Sequence, residues 1–144
     1  MWDVSDKSPT VRTATARSFL RMDTATVAAI RGGTVPKGDP LPVAKVAAIQ
    51  AAKNTPDIIP YCHPLGLEHI GVVFEVRDEG ILTTTTVKTS GKTGVEMEAL
   101  TAASVAALTL YDMLKQLDMG MVIERVELVE KRGGKSDYAR ENAA

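Results

Sequence analysis

The stretch LEHIGVVFEVRDEGILTTTTVKT, residues 67–89, decides the fold. Within it Ile70, Val72, Phe74 and Val76 alternate with polar or small residues, the two-residue period of a strand with one buried face. Asp78-Glu79-Gly80 supplies a turn, and Ile81 to Thr89, dense in β-branched side chains, returns as the partner strand. A hairpin in mid-chain with helical sequence on both sides sets the frame for the rest.

On its C-terminal side, Gly91-Lys92-Thr93-Gly94 reads as a loop. From Val95 to about Leu117 the apolar spacing is helical, with Leu100, Ser104, Leu108 and Tyr111 along one side and Gly120 to terminate it. Val122 to Val129 is a last strand, followed by a polar tail from Lys131. On the N-terminal side, Asp39-Pro40 places a cap and a first-turn proline at the start of a helix that runs to about Lys53, where Asn54-Thr55-Pro56 stops it. Thr24 caps a shorter helix through Ile30, closed by Gly32-Gly33. Residues Arg12 to Met22 alternate, with Ala14, Ala16, Leu20 and Met22 on one face, which predicts a strand from small residues that also suit a helix. The order β-α(α)-β-β-α-β is that of a ferredoxin-like α+β domain, an antiparallel sheet with helices packed on one face. The other face is too apolar for water throughout, which predicts self-association.

The 144 residues amount to one domain, expected to span 1–144, and 17 basic residues nearly balance 18 acidic ones. That balance excludes a nucleic-acid or acidic-membrane partner recognised through bulk charge. The one cysteine, Cys62, leaves no internal disulfide and fits a reducing, cytoplasmic setting. Two histidines and one cysteine are too few for a zinc site of nitrogen and sulfur ligands, so no metal ligands are assigned. No secretory signal is expected at the start, and the longest uncharged apolar stretch, Ala99 to Tyr111, is shorter than the ~20 residues of a membrane helix.

Gly91-Lys92-Thr93 and Gly134-Lys135-Ser136 both carry the end of a phosphate loop, but Thr86 and Val129 stand where its first glycine belongs. Glycine-flanked lysines still form anion-binding nests, so Gly91–Gly94 is either such a nest ahead of the long helix or an ordinary turn, and the Gly134-Lys135 segment reads as a mobile, solvated end. In Pro60-Tyr61-Cys62-His63-Pro64 two prolines stiffen a Cys-His pair, which presents binding residues or else a buried thiol and a satisfied imidazole. His69 reads as structural. Lys37 precedes the second helix and reaches an anion at that helix's N-terminus or is a solvated surface lysine.

The long helix carries Glu96 and Glu98 at its start and Asp112 and Lys115 near its end, the latter pair on one face. Such a pair is either a structural ion pair or an acid/base couple with tuned pKa values. Glu98 and Asp112 lie within about 40° around the axis but about 21 Å apart along it. If both serve one small-molecule pocket, that pocket draws one end of the helix from each of two subunits. The plain alternative is a helix with charged ends and an Ala-rich middle made for close packing.

Lys37-Gly38-Asp39, Ile49–Lys53, Ile59–Leu65, Thr93–Ala102, Leu108–Met113 and Lys131–Ser136 together resemble the molybdenum-cofactor biosynthesis protein C family, the cyclic pyranopterin monophosphate synthases. The resemblance runs from about Asp3 to Ser136, and the CHPL and TGVEMEALTA blocks are its most specific parts. It implies a lyase that converts 3′,8-cyclo-7,8-dihydroguanosine 5′-triphosphate to cyclic pyranopterin monophosphate and releases pyrophosphate. It also implies a ferredoxin-like fold and hexamers built from dimers with sites at subunit interfaces; no cofactor is expected, and Mg²⁺ is one ion that the triphosphate itself can bring. By position, Asp112 matches the catalytic aspartate; Tyr61, Cys62, His63, Met97 and Glu98 match substrate-binding segments; Lys37, Lys115 and Lys131 match pocket lysines and Glu96 an acidic pocket residue. Lysines then neutralise the triphosphate and departing pyrophosphate, and Asp112, poised by Lys115, moves protons with His63 as a second candidate. The chain departs from the family at Tyr61, where leucine is common, at Trp2, where a small apolar residue is usual, and at Asp137, where glycine is commoner. The rivals to an enzyme are a nucleotide-holding binding module without chemistry and a structural subunit of a larger assembly.

Overall fold

The computed structural model describes residues 1–141. Its elements are β1 (Thr10–Arg21), α1 (Thr24–Gly32), α2 (Pro40–Lys53), α3 (Thr55–Ile58), β2 (Leu67–Arg77), β3 (Gly80–Gly91), α4 (Glu96–Leu114), β4 (Val122–Arg132) and β5 (Tyr138–Ala139). The sheet order is β2-β3-β1-β4-β5 with every neighbouring pair antiparallel. This is the expected ferredoxin-like α+β arrangement, and α4 lies across β1, β3 and β4 with α2 beside it against β2.

The hairpin forms as its alternation predicts, with Val76 opposite Ile81 and Val72 opposite Thr85. Its turn needs Gly80, because a Cβ there would lie 2.0 Å from the Leu20 carbonyl oxygen of the adjoining strand. β1, read from small residues only, is the inner strand between β3 and β4, and pairing on both edges overrides its ambiguous propensity. Its Ala14, Ala16, Ser18 and Leu20 are buried against the helices, where Ser18 Oγ donates to the Ala103 carbonyl at 2.7 Å.

Four boundaries differ from expectation. α1 starts at Thr24, but Asp23 occupies the cap position and its side chain makes no cap bond; Asp118 instead accepts from the Asp23 N–H at 2.9 Å and from Thr26 Oγ1 at 3.2 Å. Those tethers also draw the chain off α4, which ends at Leu114 rather than near Leu117, so Gly120 does not terminate it. Asn54 stops α2 as read, yet α3 follows at once from Pro56 in its first turn. The tail is not a free end: β4 continues through Arg132, and Tyr138 pairs with Lys131 and Ala139 with Glu130. Residues 142–144 of the expected tail lie outside the described residues.

α4 also buries a different side from the one read from its large residues. Leu108 is 58% exposed, whereas Ala99, Ala102, Ala103, Ala106, Ala107, Leu110 and Leu114 are fully buried. Small side chains let the helix axis approach the sheet, and close packing rather than bulk fills the core. By length and composition α4 reaches what a membrane span needs, beyond what the uncharged run alone suggested; here its apolar side forms the core of the domain. The sheet face away from the helices carries Thr15 and Thr86, paired at 3.3 Å, and the Arg17–Glu127 ion pair at 2.6 Å, with Arg140 at 3.3 Å and Arg125 at 3.6 Å from the same carboxylate.

Candidate active site

α4 is unbroken from Glu96 to Leu114, so its two charged tips sit at opposite ends of the domain. At the C-terminal tip, Lys115 Nζ lies 3.0 Å from Asp112 Oδ1, one helical turn away. Lys37 arrives from the loop before α2, a turn in which Gly38 takes a φ of +98° and Val35 is anchored in the core. Its Nζ donates to the Asp112 carbonyl oxygen at 2.9 Å and stands 3.8 Å from Oδ2. Lys37 therefore serves the end of α4 and not the N-terminus of α2, the partner that sequence alone offered it. The Lys115 hydrogen bond and charge, reinforced by the charge of Lys37, hold the Asp112 carboxyl below the usual aspartate range. All three side chains are exposed to solvent, so Asp112 is an ionised, accessible proton acceptor flanked by two ammonium groups.

At the N-terminal tip the Pro60–Pro64 loop lies over the first turn of α4. The Cys62 N–H donates to the Ile59 carbonyl at 3.1 Å, and its Sγ donates to Glu98 Oε2 at 3.3 Å. Burial, then the neighbouring Glu98, push the Cys62 thiol up to about 11, so it is a hydrogen-bond donor at neutral pH and not a nucleophilic thiolate. Glu98 is 1% exposed and its Oε1 has no hydrogen-bond partner among the described residues. Burial raises its carboxyl above the ordinary glutamate value. Met97, next along the helix, is 39% exposed. The His63 Nε2 lies 2.8 Å from the Trp2 carbonyl, which can only accept, so Nε2 carries the proton and Nδ1 is the ring position left to act as a base. His69 lies exposed on β2, outside the site.

Two adjoining clefts open beside this tip. One, of about 550 Å³, is walled by Trp2, Tyr61 and His63; the other, of about 210 Å³, by Arg12, Glu96, Lys131 and Arg132. Lys7, Thr93 and Lys135 line both. The smaller cleft thus gathers five cationic side chains against one carboxylate, an arrangement that takes a polyanion. Glu96 folds back over Gly94, where an added Cβ would sit 2.0 Å from its Oε1. Arg12 is aimed by its Nε donating to the Gly91 carbonyl at 3.0 Å, and the tail closes on it through Gly133, whose φ of +90° leaves no room for a Cβ beside the Val11 carbonyl.

The structure thus brings Tyr61, Cys62, His63, Glu96, Met97, Glu98 and Lys131 to one end, and Asp112, Lys115 and Lys37 to the other. It does not bring the two groups together within one chain. The sequence reading missed Lys7 and Arg12, single charges with no local motif: Arg12 joins the site through the pairing of β1 with β3, and Lys7 from the segment ahead of β1, where its N–H donates to the Val4 carbonyl at 3.1 Å. It read Lys135 as part of a solvated end, and the β4–β5 pairing that folds it back carries no strong sequence signal.

A ferredoxin-like domain with a stiff Cys-His loop and a lysine-rich cleft at one end of its long helix, and an aspartate between lysines at the other, belongs to a defined class. The sequence profile described as the MoaC family matches residues 1–134, and the chain belongs to that family. It is 57% identical over 136 residues to the cyclic pyranopterin monophosphate synthase of Novosphingobium aromaticivorans, covering 94% of this chain and 87% of that protein. It is 51% identical over 143 residues to the protein of the same name from Peptoclostridium acidaminophilum, covering 99% of this chain and 91% of the other.

Proposed function

We propose that the chain is a lyase of molybdenum cofactor biosynthesis that converts 3′,8-cyclo-7,8-dihydroguanosine 5′-triphosphate to cyclic pyranopterin monophosphate with release of pyrophosphate, in a site shared by two copies. The observation that carries this reading is the separation of the two charged tips by an unbroken helix, with the polyanion cleft at one and the ionised aspartate at the other. Lys7, Arg12, Lys131 and Lys135 neutralise the triphosphate and the departing pyrophosphate, where negative charge accumulates. The Cys62–His63 loop and the first turn of α4 hold the cyclised nucleoside. Asp112, kept ionised by Lys115 and Lys37 of a neighbouring copy, takes and returns protons as one ring opens and the other closes. His63 contributes through Nδ1, its Nε2 being engaged by the Trp2 carbonyl.

In this reading the copies assemble as dimers and these as a hexamer, with each site at a subunit interface. No resident cofactor takes part, and Mg²⁺ enters only as the counter-ion of the triphosphate. Cys62, kept as a thiol, suits a cytoplasmic enzyme.

Mixing two inactive variants, Lys131→Ala and Asp112→Ala, tests the shared site. With one tip from each copy, random exchange restores about a quarter of wild-type pyrophosphate release, because half the pairs each regain one intact site. No recovery after verified subunit exchange would sink the shared-site reading, and wild-type protein that binds the cyclised triphosphate without releasing pyrophosphate would favour the binding module.

A further inference from the structure

Two aromatic rings stand in water on the walls of the larger cleft, Trp2 at 82% and Tyr61 at 76% exposure. Large apolar rings gain from leaving water, so a pair left open on one concave surface is a binding feature more than a folding one. Neither backbone is loose. The Trp2 carbonyl is held by His63 Nε2 at 2.8 Å, and Lys92 Nζ holds the Ser5 carbonyl farther along the same segment at 3.4 Å. Tyr61 sits between Pro60 and the anchored Cys62. Beneath the rings, Lys7 and Lys135 lead from this cleft into the adjoining cationic one. A ligand that satisfies both regions has a flat heteroaromatic ring at one end and phosphates at the other.

We infer that Trp2, with Tyr61 beside it, is a stacking platform for the fused ring system of a phosphorylated purine- or pterin-type ligand whose phosphates run over Lys7 and Lys135 into the smaller cleft. This rests on the proposed function and names the part of the site that reads the ring.

Trp2 is the only tryptophan, so intrinsic fluorescence reports on it alone. The unliganded chain should show the emission of a water-exposed indole. Titration with GTP should quench it saturably, while inorganic triphosphate should compete with GTP without quenching. Trp2→Ala should raise KM for the cyclised triphosphate about tenfold, as loss of one ring stack does, with kcat held within about twofold; Trp2→Phe should recover most of the loss. The platform fails if calorimetry shows GTP bound with no quenching, if GTP does not bind up to millimolar concentration, if inorganic triphosphate quenches equally, or if Trp2→Ala leaves KM unchanged. It fails too if the free protein emits as a buried indole that becomes exposed on dilution, because a second copy then covers Trp2. Absence of pyrophosphate release from the wild type would overturn the reaction, a result read independently of GTP quenching.

Discussion

The two tips of α4 are built on opposite terms. The N-terminal tip is enclosed: Glu98 is buried beneath a proline-braced loop, and cationic side chains from β1, β4 and the tail crowd around the first turn. The C-terminal tip is open, with Asp112 and its two lysines exposed to solvent. A polyanion is held by many convergent charges and needs the enclosure, whereas a proton acceptor must be reached by its substrate and needs the opening. The fourteen-position separation of Glu98 and Asp112 along the helix puts them about 21 Å apart. In the proposed shared site each tip supplies one half, the cationic cleft at one end and Asp112 between its two lysines at the other.

Removing the working group of the open tip should have the largest effect. Asp112→Asn keeps the shape and loses the proton acceptor, so pyrophosphate release should fall by about 10²–10⁴-fold with the fold intact by circular dichroism. An enzyme that retained full turnover would break the comparison. The same tip has a pH signature. Because Lys115 holds Asp112 below the usual range, Lys115→Met should move the acid limb of the pH–rate profile to higher pH.

Next in size is damage to the rod that joins the tips. Ala102 is fully buried where α4 approaches the sheet, and Ala102→Leu should cost about 1–3 kcal/mol through overpacking, read as a lowered thermal midpoint. A neutral result would mean that the alanine stripe does not set the helix-to-sheet distance.

The smallest effect belongs to the enclosed tip. Burial raises the Glu98 carboxyl above its unfolded value. Stability linked to that group is complete below the ordinary carboxylate range and is lost as pH rises through the raised value. Glu98→Gln stays neutral, so its thermal midpoint should gain on the wild type as pH increases, by about 2–4 °C for each kcal/mol recovered. Parallel pH curves for the two proteins would show that burial does not raise the Glu98 carboxyl.

Most of the secondary structure was legible because the decisive signals are local. Alternation marks β2, the density of β-branched residues marks β3, the Asp39-Pro40 start marks α2, and Gly32-Gly33 closes α1 with Gly33 at a φ of +70°. Where the reading erred, a distant partner had changed a local preference. Asp118 reaches back to Asp23 and Thr26 and shortens α4, and the strand pairing of Tyr138–Ala139 turns a polar tail into the wall of a cleft. The stripe of Leu100, Ser104 and Leu108 is periodic, but periodicity does not reveal which side of an Ala-rich helix meets a flat sheet. The site divided in the same way. Cys62, His63, Glu96 and Glu98 stand in contiguous blocks and could be named from them, while Arg12 reaches the cleft through the register of β1 and Lys7 from the segment ahead of it.

What the amino-acid order determined by itself is the alternation of strand and helix and the rise between Glu98 and Asp112, because hydrophobic period and helical pitch depend only on neighbours along the chain. What only the tertiary structure decided is which charges meet. Arg12, Lys131 and Lys135 converge at one tip and Lys37 crosses to Asp112 at the other because strand register and helix packing join residues that are remote in sequence, and no local pattern encodes those distances.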